Sequence, residues 1–433
     1  MKFGGTSMGS ADSIKNVVSI IQGQLAKGTV TVVVSAVSGT TDKLIALANA
    51  AISSENHIHE KLEEIKQTHS QIIAQLGIEN TTEQLFKTLE DFVNGIKQIK
   101  ELSPHSFDYI SSYGERLSAT ILAQYLNKVG ITSEAIMADT FLITTPEPGK
   151  ADPIIEQSHL TVPAGVTPVI TGFLGRSTDN KITTLGRGGS DYSASAVGAI
   201  LKADEIQIWT DVSGIYTTDP RICSHAKPHH IISFREASEM ARFGAKVIHP
   251  QTMVPAMENQ IPIFIKNTFH PEDQGTEIAF DESRVPNDIK AITIKKGVTL
   301  ITVETPEMLL MWGFFAQVAT IFGKHGIPMD VLASSEISIS TSIETDDISD
   351  LVQDLEELGN VIIDKNQCII CVVGQGLKKN LRTNAKILEA LSELDLEAKV
   401  ISQGAPQNNF SLILPESAAV EAVNKIHDTV FKH

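Results

Sequence analysis

Four glycine-rich turns carry the residues of this 433-residue chain that could do chemistry: Lys2-Phe-Gly4-Gly5-Thr6-Ser7, Ser35-Ala-Val-Ser38-Gly39-Thr-Thr41, Gly172-Phe173-Leu-Gly175 and Leu185-Gly186-Arg187-Gly188-Gly189-Ser190-Asp191. Glycine lets backbone N–H groups approach an anion closely, and a helix that starts just after such a turn adds its positive end. Two of the turns hold a cation, Lys2 and Arg187, and one an acid, Asp191. One such turn is weak evidence, but four at apparent strand ends predict a converging anion site on an open α/β sheet. With 35 Lys and Arg against 52 Asp and Glu, the net charge of −17 opposes attraction to nucleic acid or anionic lipid. Any phosphate must therefore be met by local cations. The two Gly-Lys pairs, Gly149-Lys150 and Gly323-Lys324, are followed by Ala151 and His325 instead of Ser or Thr, so this is no P-loop.

The elements that must position these turns follow from hydrophobic period. Short apolar runs at 30–35, 166–171, 205–210 and 261–266 alternate with longer helical patterns, which predicts an open, mainly parallel sheet sandwiched by helices. Between about 56 and 130 the repeat of Leu62, Ile65, Ile72, Leu76, Leu85, Leu89 and Phe92 has helical steps and reads as a helical layer whose charges form a solvated face. A polar stretch at 281–290, carrying Pro286, reads as a linker between an α/β domain over 1–280 and a different C-terminal texture. That texture predicts strand (298–303), helix (314–325), strands (329–334 and 337–343), helix (348–358) and strand (361–364). A second pass follows: strand (368–373), helix (380–394), strands (397–403 and 410–414) and helix (418–431). The repeat is that of two ferredoxin-like βαββαβ modules, one over 298–366 and one over 367–433, with 291–297 supplying the strand the second lacks.

Composition narrows the rest. Hydrophobic residues at 42 % and charged residues at 20 % are ordinary for a globular protein, and no apolar run approaches the ~20 residues of a membrane helix. No charged start with an apolar run and cleavage site opens the chain, and three cysteines make no disulfide framework, so a cytoplasmic protein is expected. Cys368 and Cys371, three apart on a strand, face opposite sides and are expected in the core; His225, His229 and His230 are expected to be solvated. No metal site is expected from either group.

The motifs Lys2-Phe-Gly-Gly-Thr-Ser7, Thr184-Leu-Gly-Arg-Gly-Gly-Ser-Asp191, Trp209-Thr-Asp-Val-Ser-Gly-Ile-Tyr-Thr-Thr-Asp-Pro-Arg221 and Phe243-Gly-Ala-Lys-Val-Ile-His-Pro250 closely resemble aspartate kinase, a member of the amino-acid kinases. The paired C-terminal modules are similar to the ACT domains of that family, and no chain remains for a fused dehydrogenase, which implies a monofunctional enzyme. The resemblance implies transfer of the γ-phosphoryl group of ATP, with Mg²⁺, to the side-chain carboxylate of L-aspartate, the first step towards lysine, threonine and methionine. A carboxylate with a pKa near ~3.9 is already ionised at neutral pH and needs no general base. Catalysis then consists of positioning and charge neutralisation.

By the same resemblance the catalytic set is Lys2, Gly4, Gly5 and Asp191, with the acid organising the lysine. Read alone, Lys2 would be a mobile terminal residue. Aspartate is expected at Ser35, Thr41, Glu115, Phe173, Arg187, Gly188, Gly189 and Ser190. Arg187 can fork onto the α-carboxylate and Glu115 can take the α-ammonium, though read alone Glu115 is an ion-pair partner for Arg116. ATP is expected at Lys2, Thr210, Asp211, Tyr216, Arg221, Lys246 and Val247, with Mg²⁺ held mostly by phosphate and water. An effector pocket is implied at Met308, Met311, Phe314, Phe315, Pro328, Met329, Asp330, Ser335 and Glu336, pointing to feedback inhibition by L-lysine. The same surface implies a homodimer through the ACT modules, possibly a tetramer, and a surface that only dimerises stays open. Two other readings also stay open: an amino-acid kinase acting on another carboxylate, and a catalytically silent amino-acid sensor.

Overall fold

The computed structural model describes residues 1–53, 57–244, 248–306, 308, 312–345, 347–377, 381–404 and 408–431. The chain divides into two compact units, residues 1–215, 230–234 and 247–284, and residues 216–229, 235–246 and 285–433.

In chain order the first unit runs β1 (Lys2–Phe3), α1 (Ala11–Leu25), β2 (Val32–Val34), α2 (Thr40–Ile52), α3 (Ile58–Leu76), α4 (Glu83–Ile99), α5 (Pro104–Ser111), α6 (Tyr113–Lys128), β3 (Ser133–Ile136), β4 (Ile143–Thr144), β5 (Thr167–Thr171), β6 (Leu174–Ser177), β7 (Ile182–Thr184), α7 (Gly189–Leu201), β8 (Ile206–Thr210) and β9 (Ile231–Ser233). Helix α8 (Phe234–Arg242) falls almost wholly to the second unit, and α9 (Val254–Glu258), β10 (Ile263–Asn267) and β11 (Thr276–Ala279) complete the first. Its main sheet has the order β3-β5-β2-β1-β8-β10-β11-β9 and is parallel except between β10 and β11. The four apolar runs of the sequence are β2, β5, β8 and β10. Each strand of β2 and β5 is buried along its whole length, the pattern of parallel strands covered on both faces.

Strand β1 is only two residues long yet sits centrally, Lys2 opposite Val33 and Ile208, and Phe3 opposite Val34 and Trp209. Phe3 is fully buried and stacks on Trp209 at 6.1 Å between ring centroids. Burying an aromatic ring of this size is worth roughly 1.5–3 kcal/mol, which anchors the strand that presents Lys2. Helix α1 is capped by Ser10, whose side chain accepts from the Ser13 amide at 3.1 Å. The helical layer is α3 to α6, where Leu62, Ile65, Phe86, Leu89, Val93, Ile96, Ile110 and Leu117 pack with Leu44 and Leu47 of α2 in one core.

The second unit contains β12 (Ala291–Glu304), α10 (Phe314–Lys324), β13 (Leu332–Ser334), β14 (Ser338–Ile343), α11 (Ser349–Glu356), β15 (Asn360–Val373), α12 (Leu381–Ser392), β16 (Val400–Ser402), β17 (Asn409–Pro415) and α13 (Ala419–Phe431). Its six-stranded antiparallel sheet has the order β13-β14-β12-β15-β17-β16. The segments expected as separate strands at 361–364 and 368–373 are one strand, β15, and 291–297 runs on into 298–303 as β12. The polar break Lys365-Asn-Gln367 looks like a loop in sequence, but it is a bulge within the strand: Asp364 stands opposite Leu300, Asn366 holds φ 56°, and pairing resumes with Gln367 opposite Val298. The mismatch is absorbed by register shifts on either side of Val298. The strand expected over 329–334 shortens to Leu332–Ser334. Two cores lie in this unit: one built on Ile301, Phe314, Phe322 and Leu355, the other on Ile292, Ile370, Ile387 and Ile426.

Segment 216–229 is tied into this second unit. The Ile292 amide donates to Thr217 O at 2.8 Å, the Thr217 hydroxyl bonds His427 Nε2 at 2.9 Å, and Asn424 donates to Ile222 O at 3.1 Å. Of the histidines expected to be solvated, His225 and His230 are exposed, His225 reaching Asp428 at 3.4 Å, whereas half-buried His229 bonds the Lys290 carbonyl. No helix among the described residues is long and apolar enough to cross a membrane.

Candidate active site

Lys2 and Asp191 meet in the first unit. Nζ lies 2.6 Å from Oδ1, and the two side chains are 10 % and 14 % exposed. Strand β1 delivers the lysine, and the acid stands in the first turn of α7, where the helix dipole favours a negative charge. The glycine turn that follows the strand is closed by the Gly4 amide donating to Trp209 O at 3.1 Å. A Cβ added at Gly4 would lie 3.7 Å from Lys2 Nζ, so backbone and ammonium share one corner. A mobile terminal lysine is therefore the wrong description.

Glu115 sits on α6 and is buried, 3 % exposed. Its Oε1 accepts the Ala36 amide at 3.0 Å, and its Oε2 is buried with no hydrogen-bond partner among the described residues. Burial pushes its carboxyl up to about 8, against the opposing pull of the Ala36 N–H and of the Lys2 charge. Gly114 makes this approach possible, since a Cβ there would lie 2.6 Å from the Ala36 side chain. The alternative pairing with Arg116 is overturned: Arg116 turns to Ser112 Oγ at 3.1 Å and to Asp139 at 3.0 Å. A buried carboxylate with a free oxygen is an acceptor for a cation that brings its own N–H donors.

The turn between β7 and α7 presents Arg187 on the surface, with Gly188, Gly189 and Ser190 running into the helix start. Opposite it, Phe173 holds φ 71°, a left-handed conformation uncommon outside glycine. Its amide donates to Ser193 Oγ at 2.9 Å and its carbonyl accepts the Leu185 amide at 2.8 Å, so the neighbouring chain fixes it. Ser35, half-buried, follows β2, and its amide donates to Phe3 O at 3.0 Å. Thr41 lies in the first turn of α2, half-buried. Lys2, Gly4, Gly5, Ser35, Glu115, Phe173 and the 187–191 turn thus come together around strand ends of one sheet.

The expected nucleotide residues are distributed differently. Thr210 ends β8, with exposed Asp211 beside it at 3.2 Å between side-chain oxygens. Tyr216 and Arg221 belong to the second unit, where the Arg221 guanidinium, 86 % exposed, forks onto Asp219. Lys246 and Val247 lie outside the described residues. Among the expected effector residues, Met308 and Met329 pack against the core of Phe314, Phe315 is 47 % exposed, and Met311 lies outside the described residues. Asp330 is held by Lys295 at 2.9 Å, Ser335 bonds Ser338, and Glu336 and Pro328 are exposed. Pro328, Gly326, Glu344, Asp347 and Leu351 line a hollow of about 470 Å³.

Sequence reasoning missed three residues that shape the site. Asp108 is buried and accepts from Gly149 and Thr184, Ser193 fixes Phe173, and His249 lies against Gly188 with its pKa held down by burial and by the Arg187 charge. Of these only His249 stood in a quoted motif. Among the described residues no group of three or more His, Cys, Asp or Glu side chains is arranged to hold a metal ion.

Comparison with known proteins gives the following. The amino acid kinase family matches residues 1–267, and an ACT domain matches residues 370–430. Aspartokinase 1, chloroplastic, of Arabidopsis thaliana is 35 % identical, covering 100 % of this chain and 80 % of the relative. Lysine-sensitive aspartokinase 3 of Escherichia coli is 31 % identical over 100 % of this chain and 98 % of the relative. The crystal structure of E. coli aspartokinase III in complex with aspartate and ADP superposes with a TM-score of 0.85 at 30 % identity, covering 100 % and 99 % of the two chains.

Proposed function

We propose that this chain, which belongs to the amino acid kinase family and is an aspartokinase, moves the γ-phosphoryl group of ATP onto the side-chain carboxylate of L-aspartate through the cleft of Lys2, Asp191, Glu115 and the 187–190 turn. The observation that carries this reading is the buried Lys2–Asp191 pair at 2.6 Å beside Glu115. The substrate carboxylate is already ionised and attacks without a base. What limits the reaction is bringing one anion against another. Lys2 supplies the cation between them, and the Gly5 amide adds a fixed donor that needs no rearrangement as charge moves onto the transferred oxygens, while the Gly4 amide, expected in the same role, is taken up by Trp209 O and shapes the turn. Asp191 holds the ammonium in place and is not a proton acceptor.

Substrate recognition divides between two charges. The unpartnered Oε2 of Glu115 receives the α-ammonium, whose arrival returns the acid to its charged form, and Arg187 forks onto the α-carboxylate. Ser190, the backbone at Phe173, Ser35 and Thr41 are assigned to the same substrate. ATP is met by Lys2, Thr210 and Asp211, with Tyr216, Arg221, Lys246 and Val247 assigned by motif alone. The donors here are an ammonium, amides and hydroxyls, which fits a Mg²⁺ that arrives on the triphosphate and keeps phosphate and water ligands. When bound, that ion draws charge from the β- and γ-phosphate oxygens.

The second unit is proposed to bind L-lysine as feedback inhibitor. The name of the E. coli relative supports this, as do the exposed Trp312 and Phe315 and the Asp330 carboxylate in the same module. A homodimer through the ACT modules, with a tetramer as the larger form, is supported by the run of exposed apolar residues Trp312, Phe315, Leu332, Ile337 and Ile362. Three buried free thiols, Cys223, Cys368 and Cys371, fit a reducing compartment, and the cytoplasm is the proposed location.

The test is incubation with Mg-ATP, L-aspartate and hydroxylamine, reading the hydroxamate trapped from the acyl phosphate. Product is expected with L-aspartate. Product with N-acetylglutamate and none with aspartate would assign another carboxylate, and no turnover with any acceptor would make the chain a sensor.

A further inference from the structure

Helix α5 carries no expected site residue, yet one of its side chains reaches the substrate turn. Asp108 is 1 % exposed. Its Oδ2 accepts the amides of Gly149 and Thr184, both at 2.9 Å, and its Oδ1 accepts the Thr184 hydroxyl at 2.9 Å. Thr184 is the last residue of β7, and the turn Leu185–Ser190 starts immediately after it. The Thr184 carbonyl accepts the Ala151 amide at 3.0 Å, so the strand end is held from both sides of its peptide. The 149–151 loop lies tight under the turn: Gly186 has φ +72°, and a Cβ there would lie 2.7 Å from Gly149 O. From the other end of α5 the chain passes through Ser112, whose amide donates to Asp108 O at 3.0 Å, into α6 and Glu115.

We infer that Asp108 is a positioning residue for the amino-acid substrate: one buried carboxylate, through Thr184 and Gly149, sets the place of the Arg187–Ser190 turn relative to the helix pair that carries Glu115. It touches no substrate atom. The inference rests on the proposed assignment of the turn and of Glu115 to aspartate, and it adds what holds the two at the spacing that one α-carbon bearing an ammonium and a carboxylate requires. A shift of about an ångström between two such contacts is enough to weaken both.

Four variants test it. Asp108→Ala leaves three donors unpaired and is expected to raise KM for aspartate at least about tenfold while KM for ATP stays within about twofold. Asp108→Asn is the rescue: its Oδ1 can keep the two backbone donors while Nδ2 donates to Thr184 Oγ1, so KM for aspartate should return to within about threefold of the parent enzyme. Thr184→Val removes one of the three bonds and should raise KM for aspartate about threefold, which decides the matter should the alanine variant fail to fold. Arg187→Ala serves as the reference for the site itself. If it leaves KM for aspartate unchanged, the assignment of the turn to aspartate fails. If it raises KM but Asp108→Ala or Thr184→Val does not, or if they raise both KM values alike, the positioning role is overturned and the site assignment stands.

Discussion

Each unit of the molecule contains a sheltered lysine–aspartate pair, Lys2 with Asp191 at 2.6 Å and Lys295 with Asp330 at 2.9 Å. Their exposures are alike, 10 % and 14 % in the first and 15 % and 13 % in the second. Their surroundings are not. Lys2 stands on a central parallel strand beside the Gly4 backbone, and its charge reaches a buried acid with an oxygen that has no partner among the described residues. Lys295 stands on an antiparallel strand and is met by a second carboxylate, Glu344, so that its ammonium is shared between two acids. An ion pair becomes a site for chemistry when its ammonium is not shared with a further acid and fixed donors stand at the same place.

The largest expected effect breaks the comparison at its first member. Lys2→Met should lower kcat by about a thousandfold, because no other described cation stands between the two anions, while circular dichroism shows an intact fold. A loss of less than about tenfold in the hydroxamate assay would reduce Lys2 to the standing of Lys295. Next comes Arg187→Ala, expected to raise KM for aspartate about a hundredfold through loss of a bidentate contact, as read by initial rates at saturating ATP.

Glu115 yields a pH dependence. Its folded value of about 8 lies above the ordinary 4.5, so between these values the folded chain holds a proton that the unfolded chain has released. Stability without substrate therefore falls as pH rises from about 4.5 to about 8, and the slope should vanish in Glu115→Gln on urea titration. Activity runs the other way. The charged acid binds the ammonium, so kcat/KM for aspartate should climb towards about 8 in the parent enzyme and stay flat, about tenfold below its plateau, in Glu115→Gln.

The smallest effect sharpens the second member of the comparison. Lys295→Met frees Asp330 for an external ammonium and should lower the half-inhibiting concentration of lysine by about threefold. An unchanged lysine response would separate Asp330 from the effector.

The two regions also differ in how far they could be read without coordinates. The four apolar runs became β2, β5, β8 and β10 because central strands of a covered sheet are mostly apolar, fully buried in β2 and β5 and alternating in β10. Strand β1 left no such trace: two residues have no period, and its central place comes from pairing on both sides. In the second unit both modules were legible from their repeat, but the joining of 361–364 to 368–373 was not. A polar Lys-Asn-Gln run stays within a strand where pairing on both flanks carries the chain across a bulge, here with Asn366 at φ 56°.

The site shows the same division. Lys2, Arg187, Ser190 and Asp191 stood out because their neighbours are glycines in turns. Glu115 did not separate from an ordinary helical acid, since Arg116 next to it offered a partner in sequence that Asp139 removes in space. Asp108 left no signal at all.

What the sequence determined by itself is the class of chemistry, the two-part architecture and the turns that bear charge, because period and glycine placement are local properties of a chain. Tertiary structure alone decided which charges are shared and which are spent. Lys2 found Asp191 at a separation of 189 positions, Arg116 left Glu115 for Asp139, and Asp108 became the anchor of a turn far along the chain. Burial and pairing energies depend on distances between segments that no local pattern records.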